Sequence, residues 1–324
     1  MIVFGLNCPS RFHQSVDLTP ACSLRRLFRG EMLDGQRRMV RDNDNLFAIQ
    51  KLGACSCERN VQEQALTFLL ALVDEMEQRV KEVSQADIGR WLQWMQSSIP
   101  TIAQRMPILL AGLVWSPSNK SRLLQTRATK ELLSACRSAS LRKQLNAAIA
   151  LVTIMRDGAG RDAVVQAGGI SVLTSLASSP DSRVQQVAAI GLASVVRESI
   201  SARGLIAEME TVGALYALQR SADPVCKAAA AYVIAELCFD TRFRANAVTP
   251  RTVRSLVAAG LSTNIPLKCI GVHAIHRLLT LDPSLRALLH VACEGVAWST
   301  PELVSDERTL RALDELAAVC SASQ

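Results

Sequence analysis

Leu69, Leu110, Leu151 and Leu192 stand 41 residues apart; one step of 42 leads to Ile234, and the step of 41 returns at Ile275 and Leu316. A fixed period of that length means that one supersecondary unit recurs along the chain, each copy burying its apolar face against the next. The residue four positions before each marker is Ala65, Met106, Ala147, Ala188, Ala230, Gly271 or Ala312, small in six of the seven cases. One helical turn separates marker and partner, so they share a face, and a small partner lets a second helix cross closely. A coiled coil would show a heptad period, and a membrane span would show about 18 unbroken apolar residues; neither is present.

Turn signals fall at matching places in each period. Ser56 to Asn60, Ser97 to Thr101, Ser138 to Ser140, Ser178 to Ser182, Ser221 to Pro224 and Ser262 to Pro266 separate a second helix from a third. Longer breaks at Trp115 to Asn119, Arg156 to Gly160 and Leu281 to Pro283 separate one unit from the next, through Gly or Pro that a helix interior does not tolerate. Aromatic residues make up only 4% of a chain that is 49% hydrophobic, so leucine and small residues carry the packing. That composition suits stacked helices better than strands, and the expected fold class is all-α.

The best-formed unit runs from Arg161 to Glu198. Gly168, Gly169, Ile170, Leu173, Leu176, Asp181, Val184, Gln185, Ala188, Ala189 and Leu192 give a Gly-Gly pair, spaced leucines, a Ser/Asp turn and V-Q-x-x-A-A-x-x-L. This stretch resembles one armadillo repeat. The resemblance implies an α-solenoid superhelix of about seven three-helix repeats over residues 45–320, with the first, sixth and seventh degraded. Residues 1–44 read as an irregular basic arm and 321–324 as a tail. The arm, with Arg11, Arg25, Arg26 and Arg29, admits two readings, an organelle-targeting segment or a structural cap. Localisation is correspondingly cytoplasmic, with the mitochondrion as the alternative.

Armadillo proteins that bind extended peptides carry a Trp four residues before an Asn on each third helix. The corresponding pairs here are Thr67 and Ala71, Ile108 and Gly112, Ile149 and Thr153, Ile190 and Ser194, Tyr232 and Glu236, His273 and Arg277, and Asp314 and Ala318. No Trp or Asn stands at any of them, which argues against a peptide ladder of that type. Tyr232, Glu236, His273 and Arg277 form the expected partner-binding groove, tyrosine and arginine being frequent anchors. The alternative is a solvated face with an internal Glu236–Arg277 ion pair.

The net charge of +7 is uneven. Residues 117–160 and 242–290 each carry +6, and the end from Val291 carries −4. Lys120, Arg122, Arg127, Lys130, Arg142 and Lys143 make up a secondary basic patch. Basic solenoid faces can hold an RNA backbone, but no aromatics interleave with these clusters, so nucleic acid is the weaker expectation. Cys269, His273 and His276, with His290 and Cys293 nearby, have spacings compatible with zinc, yet an apolar helix holds cysteine as core, and no metal or other cofactor is expected. Cys55 and Cys57 lack a matching second pair, and Asn119-Lys120-Ser121 matches the glycosylation triplet without a secretory signal to go with it. Phosphate-loop and nucleophile-elbow motifs are absent, and Gly158 and Gly160 follow no strand, so no enzyme and no small-molecule substrate are expected.

The expected function is therefore a non-enzymatic protein-binding scaffold or a subunit of a larger assembly. Leu69 to Glu75, Leu151 to Asp157 and Ala193 to Glu198 also resemble segments of the armadillo-type nucleotide exchange factors of DnaK-type heat-shock chaperones. That resemblance implies a solenoid that holds a lobe of the chaperone ATPase domain. An organelle assembly component is the other specific alternative.

Overall fold

A serine in the same place leads into five of the six third helices among the described residues. Ser97, Ser138, Ser179, Ser221 and Ser262 recur at steps of 41 or 42, and each hydroxyl accepts the backbone N–H two residues on, at 3.1–3.3 Å. Such a turn competes with helix hydrogen bonding, so it ends the second helix and aims the chain into the third. The computed structural model of the protein describes residues 83, 85–196, 199–292 and 307–321. The arm over 1–44, the first repeat before residue 83, and Cys55, Cys57 and Cys293 lie outside the described residues.

All regular elements among the described residues are helices. They are α1 (Gln85–Trp94), α2 (Pro100–Leu113), α3 (Pro117–Leu124), α4 (Ala128–Ala135), α5 (Leu141–Ile154), α6 (Gly158–Gln166), α7 (Gly169–Leu176) and α8 (Ser182–Val196). Then come α9 (Ile200–Ile206), α10 (Met209–Leu218), α11 (Pro224–Phe239), α12 (Arg244–Ala247), α13 (Pro250–Gly260), α14 (Ile265–Leu281), α15 (Arg286–Ala292) and α16 (Glu307–Ser321). Third helices are α2, α5, α8, α11, α14 and α16. The sixth repeat's first helix shrinks to the single turn of α12, and a 3-10 turn at Pro283–Leu285 precedes α15 in the seventh.

The leucine markers land where the period puts them. Leu110, Leu151, Leu192, Ile234, Ile275 and Leu316 sit one to each third helix, none more than 3% exposed. Their small partners Ala147, Ala188, Ala230 and Ala312 are equally buried, as is Met106. Compact units divide at Val172–Leu173, inside α7. In the first, α5 packs against α2 and α4. In the second, α11 packs against α8 and α14, α14 against α16, and α11 and α14 each against its own second helix, α10 and α13.

Capping follows the sequence closely. Ser140, Asp157, Ser199, Asp223, Thr249 and Asn264 each accept a backbone N–H of the helix they begin. Pro224 and Pro250 each follow their cap at the first helical position, where the missing N–H costs nothing. Gly168 leaves α6 with φ +86°, the one positive φ among the described residues, and accounts for the first glycine of the Gly-Gly pair. Gly160 has a different reason: a Cβ there would lie 1.8 Å from the Ile154 carbonyl oxygen, so α6 reaches the end of α5 only without a side chain. The Gly158–Gly160 pair is thus a packing feature of a helix junction.

Candidate protein-binding surfaces

The third helices of the second unit carry the residues expected to form a groove. Tyr232 is a correction to that expectation. At 3% exposure it lies inside the core, because α11 is packed between α8 and α14 and its alanine-rich run lets both neighbours approach. Glu236, one turn on, is half-buried. It has no hydrogen-bond or ion-pair partner among the described residues, and in particular forms no ion pair with Arg277. Arg277 is exposed and lays its guanidinium 4.1 Å from the Phe239 ring centroid. His273 Nε2 is 2.9 Å from Thr309 Oγ1 on α16. What reaches the surface is an unpaired carboxylate, an aromatic-backed guanidinium and an anchored imidazole, beside the plainer Ile190 and Ser194 of α8.

The basic patch is dispersed. Lys120 is only 7% exposed, and its ammonium pairs with Asp157, the N-cap of α6. Burial raises the Asp157 carboxyl, but the Lys120 hydrogen bond and the Gly160 N–H outweigh it and hold it below the usual range. Arg122 Nη1 donates to the Val83 carbonyl at 3.1 Å, and Lys143 Nζ donates to the Met95 carbonyl at 2.7 Å, just past the end of α1. Arg127, Lys130 and Arg142 are exposed. Half of the set therefore serves the fold, and no six-residue cationic surface exists here.

A separate set of arginines forms a series that charge counting does not reveal. Arg161 Nη1 donates to the Met155 carbonyl at 3.2 Å, Arg203 Nε to that of Val196 at 2.6 Å, and Arg244 to those of Cys238 and Phe239 at 3.1 and 3.0 Å. Each reaches back from a first helix to the last carbonyls of the preceding third helix, groups that have no partner in their own helix and sit at its negative end. Asp240 completes one such junction, its buried carboxylate bonded to Arg242 and, at 3.2 Å, to Arg203. The Arg242 hydrogen bond is the main reason its carboxyl sits well below the usual range, against the opposing effect of desolvation.

The profile of the Armadillo/beta-catenin-like repeat matches residues 159–192, which cover most of α6 to α8. An engineered protein of known structure superposes with a TM-score of 0.67 at 20% identity, covering 93% of this chain and 77% of that one. The fold is that of an armadillo-repeat protein. A designed armadillo repeat protein in complex with the peptide (KR)4 gives 0.64 at 14% identity, over 72% of this chain and 99% of that one. A beta-catenin structure, from work on a phosphorylation switch controlling its interaction with cadherin, gives 0.65 at 12%, over 84% and 51%. No curated protein sequence matches the chain.

In this armadillo fold the cysteine and histidine cluster is divided among separate partners. Cys269 is buried at 2% exposure and accepts from Thr309, His273 bonds the same threonine, and His276 Nε2 lies 2.7 Å from Glu315 Oε2. No set of three His, Cys, Asp or Glu side chains that could hold a metal converges among the described residues. Burial pushes the thiols of Cys136, Cys226 and Cys238 up to about 12. Asn119, from the glycosylation triplet, is fully buried and accepts the Val83 N–H at 2.8 Å, so a folded chain cannot carry a glycan there. No helix among the described residues is long and apolar enough to cross a membrane.

Proposed function

We propose that the protein is a non-enzymatic scaffold or assembly subunit that holds a protein partner along the third-helix face of residues 173–321. The supporting observation is the strip formed by Glu236, Phe239 with Arg277, and His273. It combines a half-buried carboxylate that has no partner among the described residues with a guanidinium stacked on an aromatic ring. Aromatic-backed arginine is a common interface anchor, since its guanidinium is weakly hydrated and its orientation is already fixed. Ile190 extends the strip with apolar surface. The partner meets Glu236, His273 and Arg277, and Tyr232 supports α11 from within.

Affinity purification from the native source, read by mass spectrometry, tests this directly. Arg277→Glu should lose a protein that the parent chain retains, while both keep the same helical circular dichroism. An unchanged set of recovered proteins would refute the assignment of this face. The chaperone exchange-factor version rests on sequence resemblance alone, because Arg156 stacks on Trp115 at 4.1 Å and Asp157 is engaged in capping and pairing. Its own test is the release of labelled ADP from a DnaK-type chaperone, which a saturating amount of this protein should accelerate.

A further inference from the structure

Between the second helices α10 and α13 and the opening turns of α11 and α14 lies a cavity of about 530 Å³. Arg220, Lys227, Arg251 and Arg254 all line it. No acidic side chain does, and none of the four cations has a carboxylate partner among the described residues. Arg251 is stacked 3.9 Å over the Tyr216 ring centroid, and the Tyr216 hydroxyl is fixed by a 2.6 Å hydrogen bond with Thr252. Arg254 Nε makes a 3.3 Å contact with the Pro250 carbonyl, leaving its terminal nitrogens available. Ser255 donates to the Gln219 side chain on the wall, and Ala231 and Leu267 add apolar lining.

Four cations held together without an anion repel one another, and at two helix junctions of this fold such charge is matched. Lys120 has Asp157, and Arg203 and Arg242 share Asp240. An unmatched concave cluster therefore favours a multiply charged anion, which gains from every cation at once and from the planar fork of a pre-oriented arginine. The volume falls within the range of small-ligand pockets and exceeds what one carboxylate fills, so room remains for the neighbours of an anionic group. Its surroundings narrow the source. Tyr216 is 9% exposed and already covered by Arg251, so no aromatic face is offered to a nucleobase. The large hydrophobic residues exposed among the described ones, Leu141, Leu205, Leu281 and Val291, lie outside the lining, so nothing at its mouth would insert into a lipid surface.

We propose that this pocket binds a phosphorylated side chain within an acidic segment of a partner protein. Arg251 and Arg220 pair with phosphate oxygens, Lys227 and Arg254 meet flanking carboxylates, and Ala231 and Leu267 accept the segment's apolar atoms. The site is separate from the third-helix face, since it uses second helices and the first turns of α11 and α14, whereas Glu236 and Arg277 stand further along those helices. Binding here and binding there are independently testable.

The probe is a fluorescein-labelled acidic peptide carrying one phosphoserine, followed by anisotropy against the full chain at two salt concentrations. Its unphosphorylated twin, a single-stranded oligouridine and phosphatidylserine-containing vesicles are run beside it. The phosphopeptide should bind best and weaken with salt. Arg220→Glu with Arg254→Glu, both exposed side chains, should weaken it at least about tenfold, because two attractive partners become repulsive. Arg277→Glu should leave it unchanged. The proposal is overturned if the twin binds equally well or the double variant binds like the parent while retaining its helical spectrum. It is also overturned if oligouridine or vesicles bind more tightly and lose that binding in the same variant.

Discussion

Gly271→Ala adds one methyl group to the crossing on which the sixth repeat depends. A Cβ at this position would lie 2.2 Å from the Gly260 nitrogen, 2.6 Å from the Leu256 carbonyl oxygen and 2.8 Å from the Ala259 carbonyl carbon. All three are backbone atoms of α13, so no rotamer change relieves the contact. The helices must separate by on the order of 1 Å to restore normal van der Waals distances. Helix propensity favours alanine by about 1 kcal/mol. Overpacking of a dense core costs about 1–3 kcal/mol, and a backbone clash belongs at the upper end. The net expectation is a loss of about 1–2 kcal/mol. Gly213 provides the control: it lies inside α10, is exposed, and a Cβ there meets nothing within 4 Å. Gly213→Ala should therefore stabilise by about 0.5–1 kcal/mol. Urea titration by circular dichroism compares midpoints, and hydrogen exchange in α13 and α14 isolates the local effect, since repeat arrays do not always unfold in one step. If Gly271→Ala raises the midpoint as Gly213→Ala does, the crossing of α13 and α14 is not the one described.

The capping junctions and buried thiols carry further expectations. Because the Asp240 carboxyl is depressed in the folded chain, its stabilisation is complete above about pH 4 and is lost on acidification towards its folded value. Asp240→Asn should flatten the acid limb of a pH–melting-temperature profile. Asp157→Ala removes an N-cap and leaves the buried Lys120 without its carboxylate, which should cost about 1–3 kcal/mol in denaturant titration. Charge reversal at Lys120 should likewise impair folding, whereas the same change at exposed Arg127 or Lys130 should not move the melting temperature by more than about 1 °C. Cys136, Cys226 and Cys238 should resist alkylation at pH 8 in the native chain and react only in denaturant, as thiols pushed up to about 12 require.

The period of 41 was enough to place every described third helix, because a marker buried in one repeat must be buried in all when neighbours stack the same way. The turns were equally readable, since the serine at each one does local work that needs no knowledge of the partner helix. Depth was not readable. The position of Tyr232 on a helix face says which way it points, but its burial depends on how closely α8 and α14 approach, and that is set by alanines spread over three repeats. Charge was misread for a related reason. A count over 117–160 treats Lys120, Arg122 and Lys143 as surface, although each is directed to an acceptor 37 to 48 residues away in sequence. The pocket lined by Arg220, Lys227, Arg251 and Arg254 joins parts of two repeats, and no single window of sequence contains it.

The same ruler can separate charge that serves the fold from charge that does not. Arg79, Lys120, Arg161, Arg203, Arg244 and Arg286 follow one another at steps of 41 or 42, basic at every repeat. Four of them, Lys120, Arg161, Arg203 and Arg244, are seen paired with an aspartate or capping a third helix. A residue that recurs with the period answers a demand that recurs with the period, and in an array that demand is the junction between neighbours. Arg220, Arg251 and Arg254 do not recur in the neighbouring repeats, and basic residues return at their positions in the third, as Arg137, Arg127 and Lys130. Their equivalents in adjacent repeats are Ser178 and Leu261, Glu210 and Cys293, and Gly213 and Val296. Glu236 is likewise alone, between Ser194 and Arg277. Among the described residues none of these side chains makes the helix-capping contact or aspartate pairing that the periodic bases make. The two surfaces proposed for partners are thus places where charge differs from that of the neighbouring repeats, which is where a periodic structure can acquire a function that its own packing does not dictate.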